Sequence, residues 1–182
     1  YIIVAIMKTT KVLKTNITEI NIEQVAEILN TSTENRVAIC NANTLVRSVR
    51  NIEIRNLINN FTIKAPDGFP VAKALSFLNK QKFSRVDGYK VFLQTIENGL
   101  DQGTQHYFFG NNEKIAQLMI GKLTQKFPNI KIAGYLCPEV MSANNLVEKY
   151  KEDIKSVNAD IIWVSLGFPK QELFIEMLCN EI

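Results

Sequence analysis

Three short strings hold the side chains best suited to chemistry: Pro66-Asp67-Gly68, Ser84-Arg85-Val86-Asp87-Gly88 and Gly167-Phe168-Pro169-Lys170-Gln171-Glu172. Together they supply a carboxylate, a guanidinium and an amide, each near a glycine or proline and each at the end of an apolar run. A carboxylate at a strand end can take a proton from an alcohol as that oxygen turns acidic in the transition state. A guanidinium forks onto a diphosphate better than an ammonium does. A helix N-terminus bearing Lys170 and Gln171 suits an anion or sugar hydroxyls. The set points to a phosphorylated or sugar-like substrate.

Each string also has a plainer reading. Pro66 and Gly68 shape a turn, and Asp67 then caps a helix starting near Phe69. Arg85 forms a surface ion pair with Asp87 or Glu97. The third string is a strand-to-helix turn whose Glu172 favours the helix dipole. Two further turns are candidates of the same mixed kind. Asn41 and Asn43 are either helix caps, with Asn43 capping the helix of Leu45, or amides for sugar hydroxyls. Gly110 and Asn111 follow Phe108-Phe109 and suit a close approach to a phosphate.

Several familiar machines are absent. The eight glycines never stand two apart, so GxGxxG fails, and no Walker A loop occurs. No Asp-x-Asp pair offers clustered oxygen ligands to a divalent cation. The single histidine, His106, rules out His-rich metal sites and a Ser-His-Asp triad, and its place at a strand start is structural.

The elements that must position these residues alternate. Apolar runs at 36–40, 61–65, 106–109, 130–133 and 160–165 read as buried parallel strands, and 1–7 as a first strand. Between them, Asn21-Ile22-Glu23-Gln24 reads as a capping box, Asn111 or Asn112 as the cap of a helix through Leu123, and Ser142 as the cap of one through Ile154. Pro169 opens a last helix through Leu178. This alternation predicts an α/β, Rossmann-like sandwich with a mainly parallel sheet flanked by helices, whose ligands bind at the strands' carboxyl ends.

Composition agrees. With 182 residues, 46% of them hydrophobic, the chain is expected to form a single domain with a sizeable core. A net charge of +3, scattered along the sequence, gives no reason to expect a nucleic-acid partner. Three cysteines without CxxC spacing fit a reducing compartment. The opening apolar run is far shorter than the roughly 20 residues that span a bilayer. The chain stops inside a helical pattern, and a C-terminal continuation is expected. Phe174 and Met177 read as exposed apolar positions that suit self-association or packing of that continuation.

In this order, the strings resemble the WecG/TagA/CpsF family of bacterial glycosyltransferases (glycosyltransferase family 26). The resemblance is carried by Asn43, Pro66-Asp67-Gly68, Arg85-Val86-x-Gly88, Phe108-Phe109-Gly110, Phe127-Pro128 before Ile132-x-Gly134, and Gly167-x-Pro169-Lys170-Gln171-Glu172. The chain departs from the family pattern at Asn41, Lys90 and Asn111.

The resemblance implies an inverting, metal-independent transferase without a cofactor. It would move an N-acetylhexosamine, such as N-acetylmannosamine, from a UDP-sugar to a polyprenyl-diphosphate-linked sugar in cell-wall or surface polysaccharide synthesis. Asp67 would be the base and Arg85 would stabilise the departing diphosphate. Asn41, Asn43, Lys170 and Gln171 would bind substrate, and Gly110 and Asn111 would lie near the nucleotide. Partners would be the UDP-sugar, the lipid-linked acceptor, a second copy of the chain, and the inner face of the cytoplasmic membrane, touched through a C-terminal segment beyond Ile182. The alternative is a non-catalytic nucleotide-binding module partnering a membrane synthase.

Overall fold

The computed structural model describes residues 7–181, so the strand expected at the very start lies outside the described residues. The chain divides into two compact units, Tyr1–Thr95 and Ile96–Ile182.

The first unit begins with β1 (Thr9–Val12) and β2 (Thr15–Thr18), an antiparallel hairpin that pairs Val12 with Thr15 around Leu13 and Lys14. Then come α1 (Ile22–Thr31), β3 (Val37–Cys40), α2 (Ala42–Arg50), α3 (Ile52–Asn59), β4 (Ile63–Pro66) and α4 (Phe69–Asn79). A fifth helix, α5 (Gly88–Gly99), carries the chain across the division. β3 and β4 are parallel, with Cys40 opposite Pro66. The Lys64 amide donates to Thr18 Oγ1 at 2.9 Å, which holds β2 beside β4.

Local chemistry sets the helix starts. Asn21 and Gln24 form the reciprocal capping box, at 2.8 and 3.0 Å. Each satisfies an amide that the first helical turn leaves open. Asn51 ends α2 and caps α3, accepting from the Glu53 and Ile54 amides. The core gathers Ile20, Val25, Ile63, Ala65, Val86 and Val91. Lys64 is buried among these strands; its Nζ donates to the Phe61 carbonyl at 2.6 Å, and burial pushes its pKa down.

The second unit contains β5 (Gln105–Gly110), α6 (Glu113–Lys126), β6 (Lys131–Leu136), α7 (Ala143–Ser156), β7 (Ile161–Ser165) and α8 (Lys170–Cys179). Its sheet is parallel in the order β6-β5-β7. Asn112 caps α6 and Ser142 caps α7. Tyr107, Phe109, Leu146, Ile154, Phe174 and Leu178 form the core between the sheet and the helices α7 and α8. Phe174 is fully buried and stacks on Phe109 with ring centroids 4.6 Å apart. It therefore offers no exposed face for self-association, contrary to its reading from sequence. Met177 packs, half-buried, against the same core.

The architecture is α/β with parallel pairing and flanking helices, as expected. The described strands form two parallel sheets and one hairpin rather than one sheet. His106 is buried in β5, where its Nδ1 accepts from Trp163 Nε1 at 3.2 Å. Burial lowers its pKa to about 4, so the imidazole is neutral and plays the structural part its position suggests.

Candidate functional site

In the first unit, three expected residues lie at the carboxyl ends of β3 and β4. β3 ends at Cys40, and Asn41 follows as the N-cap of α2. Its Oδ1 accepts from the Thr44 amide at 3.1 Å and from the Thr44 hydroxyl at 3.4 Å. The cap is therefore Asn41 rather than Asn43, because the helix starts two residues earlier than an Asn43 cap requires, at Ala42. That leaves Asn43 exposed on the first turn. The Asn41 amide nitrogen is its remaining donor group, while its carbonyl is committed to the helix.

β4 ends at Pro66, and the Asp67 amide donates to the Cys40 carbonyl at 3.0 Å. Gly68, not Asp67, occupies the N-cap position of α4, with φ of 81°. That left-handed backbone is one only glycine adopts freely. It turns the chain into the helix without a side-chain cap. The Asp67 carboxylate is thus free of the capping duty that sequence alone allowed it.

The loop before α5 returns to the same place. The Val86 amide donates to the Pro66 carbonyl at 2.9 Å, tying that loop to the end of β4. Arg85 is thereby set beside Asp67, with Nε 3.3 Å from Oδ1. Its Nη2 also contacts Asp87 Oδ2. Asp87 Oδ1 accepts from the Tyr89 and Lys90 amides at the start of α5, so the guanidinium is flanked by two carboxylates of different standing. Asp87 belongs to the helix start, whereas among the described residues the Asp67 carboxylate meets only the guanidinium. The Arg85 side chain is 53% exposed and that of Asp67 is 24% exposed. Solvent screening makes such a pair worth roughly 0–1 kcal/mol. An incoming anion can therefore take Arg85 from it at little cost.

In the second unit, the expected residues lie at the carboxyl ends of β5 and β7. Gly110 has φ of 125°, and a Cβ there would stand 2.2 Å from the Ser165 carbonyl oxygen. Only glycine lets the two strands close. The Asn111 amide donates to that carbonyl at 3.2 Å, and its exposed side chain follows in left-handed backbone, φ 61°. After β7, Gln171 folds back on its own turn. Its Oε1 accepts from the Gly167 amide at 3.1 Å, and its Nε2 donates to Glu172 Oε1 at 2.9 Å. Lys170 reaches the Met141 carbonyl at 3.4 Å.

Two features here escape a reading of residue types. Glu172 stands in the first turn of α8 as expected, but it is buried, and its Oε2 has no hydrogen-bond partner among the described residues. Burial pushes its pKa up. No periodicity signal marks this position, because an acid in the first turn of a helix normally faces water. At the end of β6, Tyr135 donates to Glu113 Oε1, which also accepts from Gln117 at 2.8 Å. This hydrogen bond raises the tyrosine pKa.

Asp67 and Arg85 are in contact, Asn41 follows Cys40, whose carbonyl accepts from the Asp67 amide, and Gly110, Asn111, Lys170 and Gln171 are the expected residues of the second unit. Among the described residues, no three His, Cys, Asp or Glu side chains gather as a metal-binding group. Among them, too, no helix is long and apolar enough to cross a membrane.

Comparison with known proteins gives one family. The profile described as the glycosyl transferase WecG/TagA/CpsF family matches residues 10–182. Among curated proteins, the chain is similar to an N-acetylglucosaminyldiphosphoundecaprenol N-acetyl-beta-D-mannosaminyltransferase of Bacillus subtilis (strain 168). Identity is 27% over 139 residues, covering 76% of this chain and 53% of the relative. It is also 29% identical over 110 residues to a protein of the same name from Bacillus spizizenii, covering 60% of this chain and 41% of that relative. The chain thus matches about half the length of these curated relatives.

Proposed function

The chain belongs to the WecG/TagA/CpsF family of glycosyl transferases, and from that premise we propose that it moves an N-acetylhexosamine from a UDP-sugar to a polyprenyl-diphosphate-linked sugar. N-acetylmannosamine is the favoured donor sugar and N-acetylglucosamine the favoured acceptor sugar, following the names of the two relatives. The observation that supports the reading most is the Asp67–Arg85 contact at the carboxyl ends of parallel strands. There an uncapped carboxylate meets a guanidinium that a ligand can recruit.

The acceptor hydroxyl attacks the anomeric carbon from the face opposite UDP. As the new C–O bond forms, its proton passes to the Asp67 carboxylate, worth about 10²–10⁴-fold. The old C–O bond breaks and its electron pair goes to the diphosphate. Arg85 leaves its carboxylate neighbours for that developing charge and thereby does without a metal ion. Inversion follows from the single displacement.

The remaining roles are binding roles. The Asn41 amide nitrogen and Asn43 bind sugar hydroxyls. In the second unit, Gln171 and Lys170 bind substrate, and the turn at Gly110 and Asn111 receives the nucleotide. The enzyme acts as a peripheral protein at the inner face of the cytoplasmic membrane, where a polyprenyl acceptor is anchored.

The test is transfer by the protein of natural length from UDP-N-acetylmannosamine, and from a panel of UDP-hexoses, to a short-chain polyprenyl diphosphate N-acetylglucosamine. Transfer that persists in a chelator supports the reading. Strong inhibition by the chelator overturns the metal-free mechanism, and tight UDP binding without turnover replaces the enzyme with a nucleotide-binding module.

A further inference from the structure

The outer face of α4 is unlike the other surfaces of the first unit. Phe69, Lys73 and Phe77 recur every four residues, which places them in one row along the helix. Phe69 is 72% exposed, Phe77 82% and the flanking Leu78 52%. The opposite face is occupied: Val71, Ala72 and Leu75 are buried, and Asn79 bonds Thr10 of β1. The exposed row is therefore not a core face that lacks its neighbour. Lys73 Nζ lies 5.7 Å from the centre of the Phe69 ring.

Charge on this segment has one sign. From Gly68 to Val86 the sequence carries Lys73, Lys80, Lys82 and Arg85 and no acidic residue. The three lysines are exposed. Aromatic rings standing in water among lysines form the pattern of a helix that lies in a lipid headgroup layer, with rings in the acyl boundary and ammonium groups on anionic phosphates. A second copy of this chain fits less well. A two-fold contact would set the same patch, lysines included, against itself.

We propose that the Phe69–Lys73–Phe77 face of α4, with Leu78 and Lys80, docks on an anionic lipid surface. The proposal rests on the function above at one point, that the acceptor is held in a bilayer. The helix begins two residues after Asp67. Docking by this face brings the carboxylate to the headgroup plane, where a polyprenyl diphosphate presents its sugar. It is a contact by the catalytic core itself, distinct from any made by chain beyond Ile182.

The experiment uses the protein of natural length and vesicles of phosphatidylglycerol and phosphatidylcholine, with no substrate present, so that its outcome does not depend on turnover. Phe77→Trp adds a fluorophore to the chain's single tryptophan, Trp163. With brominated phosphatidylglycerol, the variant's added emission is expected to be quenched, against the parent as background. Phe77→Asp and the pair Lys73→Glu, Lys80→Glu are each expected to lower vesicle partition about tenfold. Both should keep parental transfer to a short-chain acceptor in solution, which also reports that they fold. Absence of added quenching overturns the proposal. So does unchanged partition of Phe77→Asp accompanied by dissociation of an oligomer in sedimentation, which would assign the face to a second copy.

Discussion

The two strand-end clusters handle charge in opposite ways. In the first unit, Arg85 and its carboxylates meet near solvent, in contacts an incoming anion can replace. In the second unit, the amide of Gln171 is held at both ends by its own turn, and the neighbouring acid, Glu172, is withdrawn from water. The first arrangement suits groups whose charge must change partner during a reaction. The second suits groups that must stay where they are. On the proposed roles, the lesson is that exposure, more than residue type, separates a reacting set from a positioning set.

The largest effect expected is at Asp67. Asp67→Asn should lower turnover by about 10²–10⁴-fold, measured by sugar transfer to a short-chain acceptor. Undiminished turnover would remove the base from the first cluster and with it the contrast. Arg85→Ala should cost about 10²–10³-fold, mostly in kcat rather than in UDP-sugar affinity, because the charge it meets develops as the bond breaks. Loss in affinity alone would make Arg85 a holding residue like those of the second unit.

Smaller effects sharpen the buried side. His106 titrates at about 4 in the fold against 6.5 when free. Its folded pKa lies below its unfolded one, so the unfolded chain binds the extra proton first. The contribution is fully present above pH 6.5 and is lost as pH falls toward 4, on the order of 3 kcal/mol. Denaturation midpoints across that window should show the slope, and His106→Asn should flatten it. Glu172 runs the other way. Its folded pKa is raised above the ordinary 4.5, so its contribution is present at low pH and is lost as pH rises through the folded value. Glu172→Gln keeps an acceptor for Gln171 and carries no charge. At pH 7 its Tm should exceed the parent's by about 2–4 °C. A lower Tm would mean that the ionised acid is matched by a cation.

Much of the frame was legible because its signals are local. The apolar runs around Ile39, Ile63, Phe108 and Val164 lie in strands, and Asn21, Asn112 and Ser142 cap α1, α6 and α7. The hairpin was not legible. Its turn is Leu13-Lys14, with Leu13 at φ of 57°, where a sequence reader looks for Asn-Gly. Its strands are Thr-rich rather than apolar. The division into two parallel sheets was equally hidden, since pairing partners are a matter of tertiary structure. So was burial of Lys64, Glu172 and Phe174, which depends on what packs over each position. Within the candidate site, Asp67 and Arg85 stood out by type and context. Their contact arises from the Val86–Pro66 backbone bond, which leaves no trace in residue identity.

That single amide-to-carbonyl link has a consequence for how this molecule can be altered. Adding or deleting one residue between Lys80 and Ser84 would shift which amide reaches Pro66, and the guanidinium would swing away although no functional side chain had changed. At Thr33 and Glu34, in contrast, exposed chain lies between α1 and β3, and length there should be forgiving. Grafted tags or foreign loops belong in the latter stretch, and the former is where a silent-looking indel would part Arg85 from Asp67.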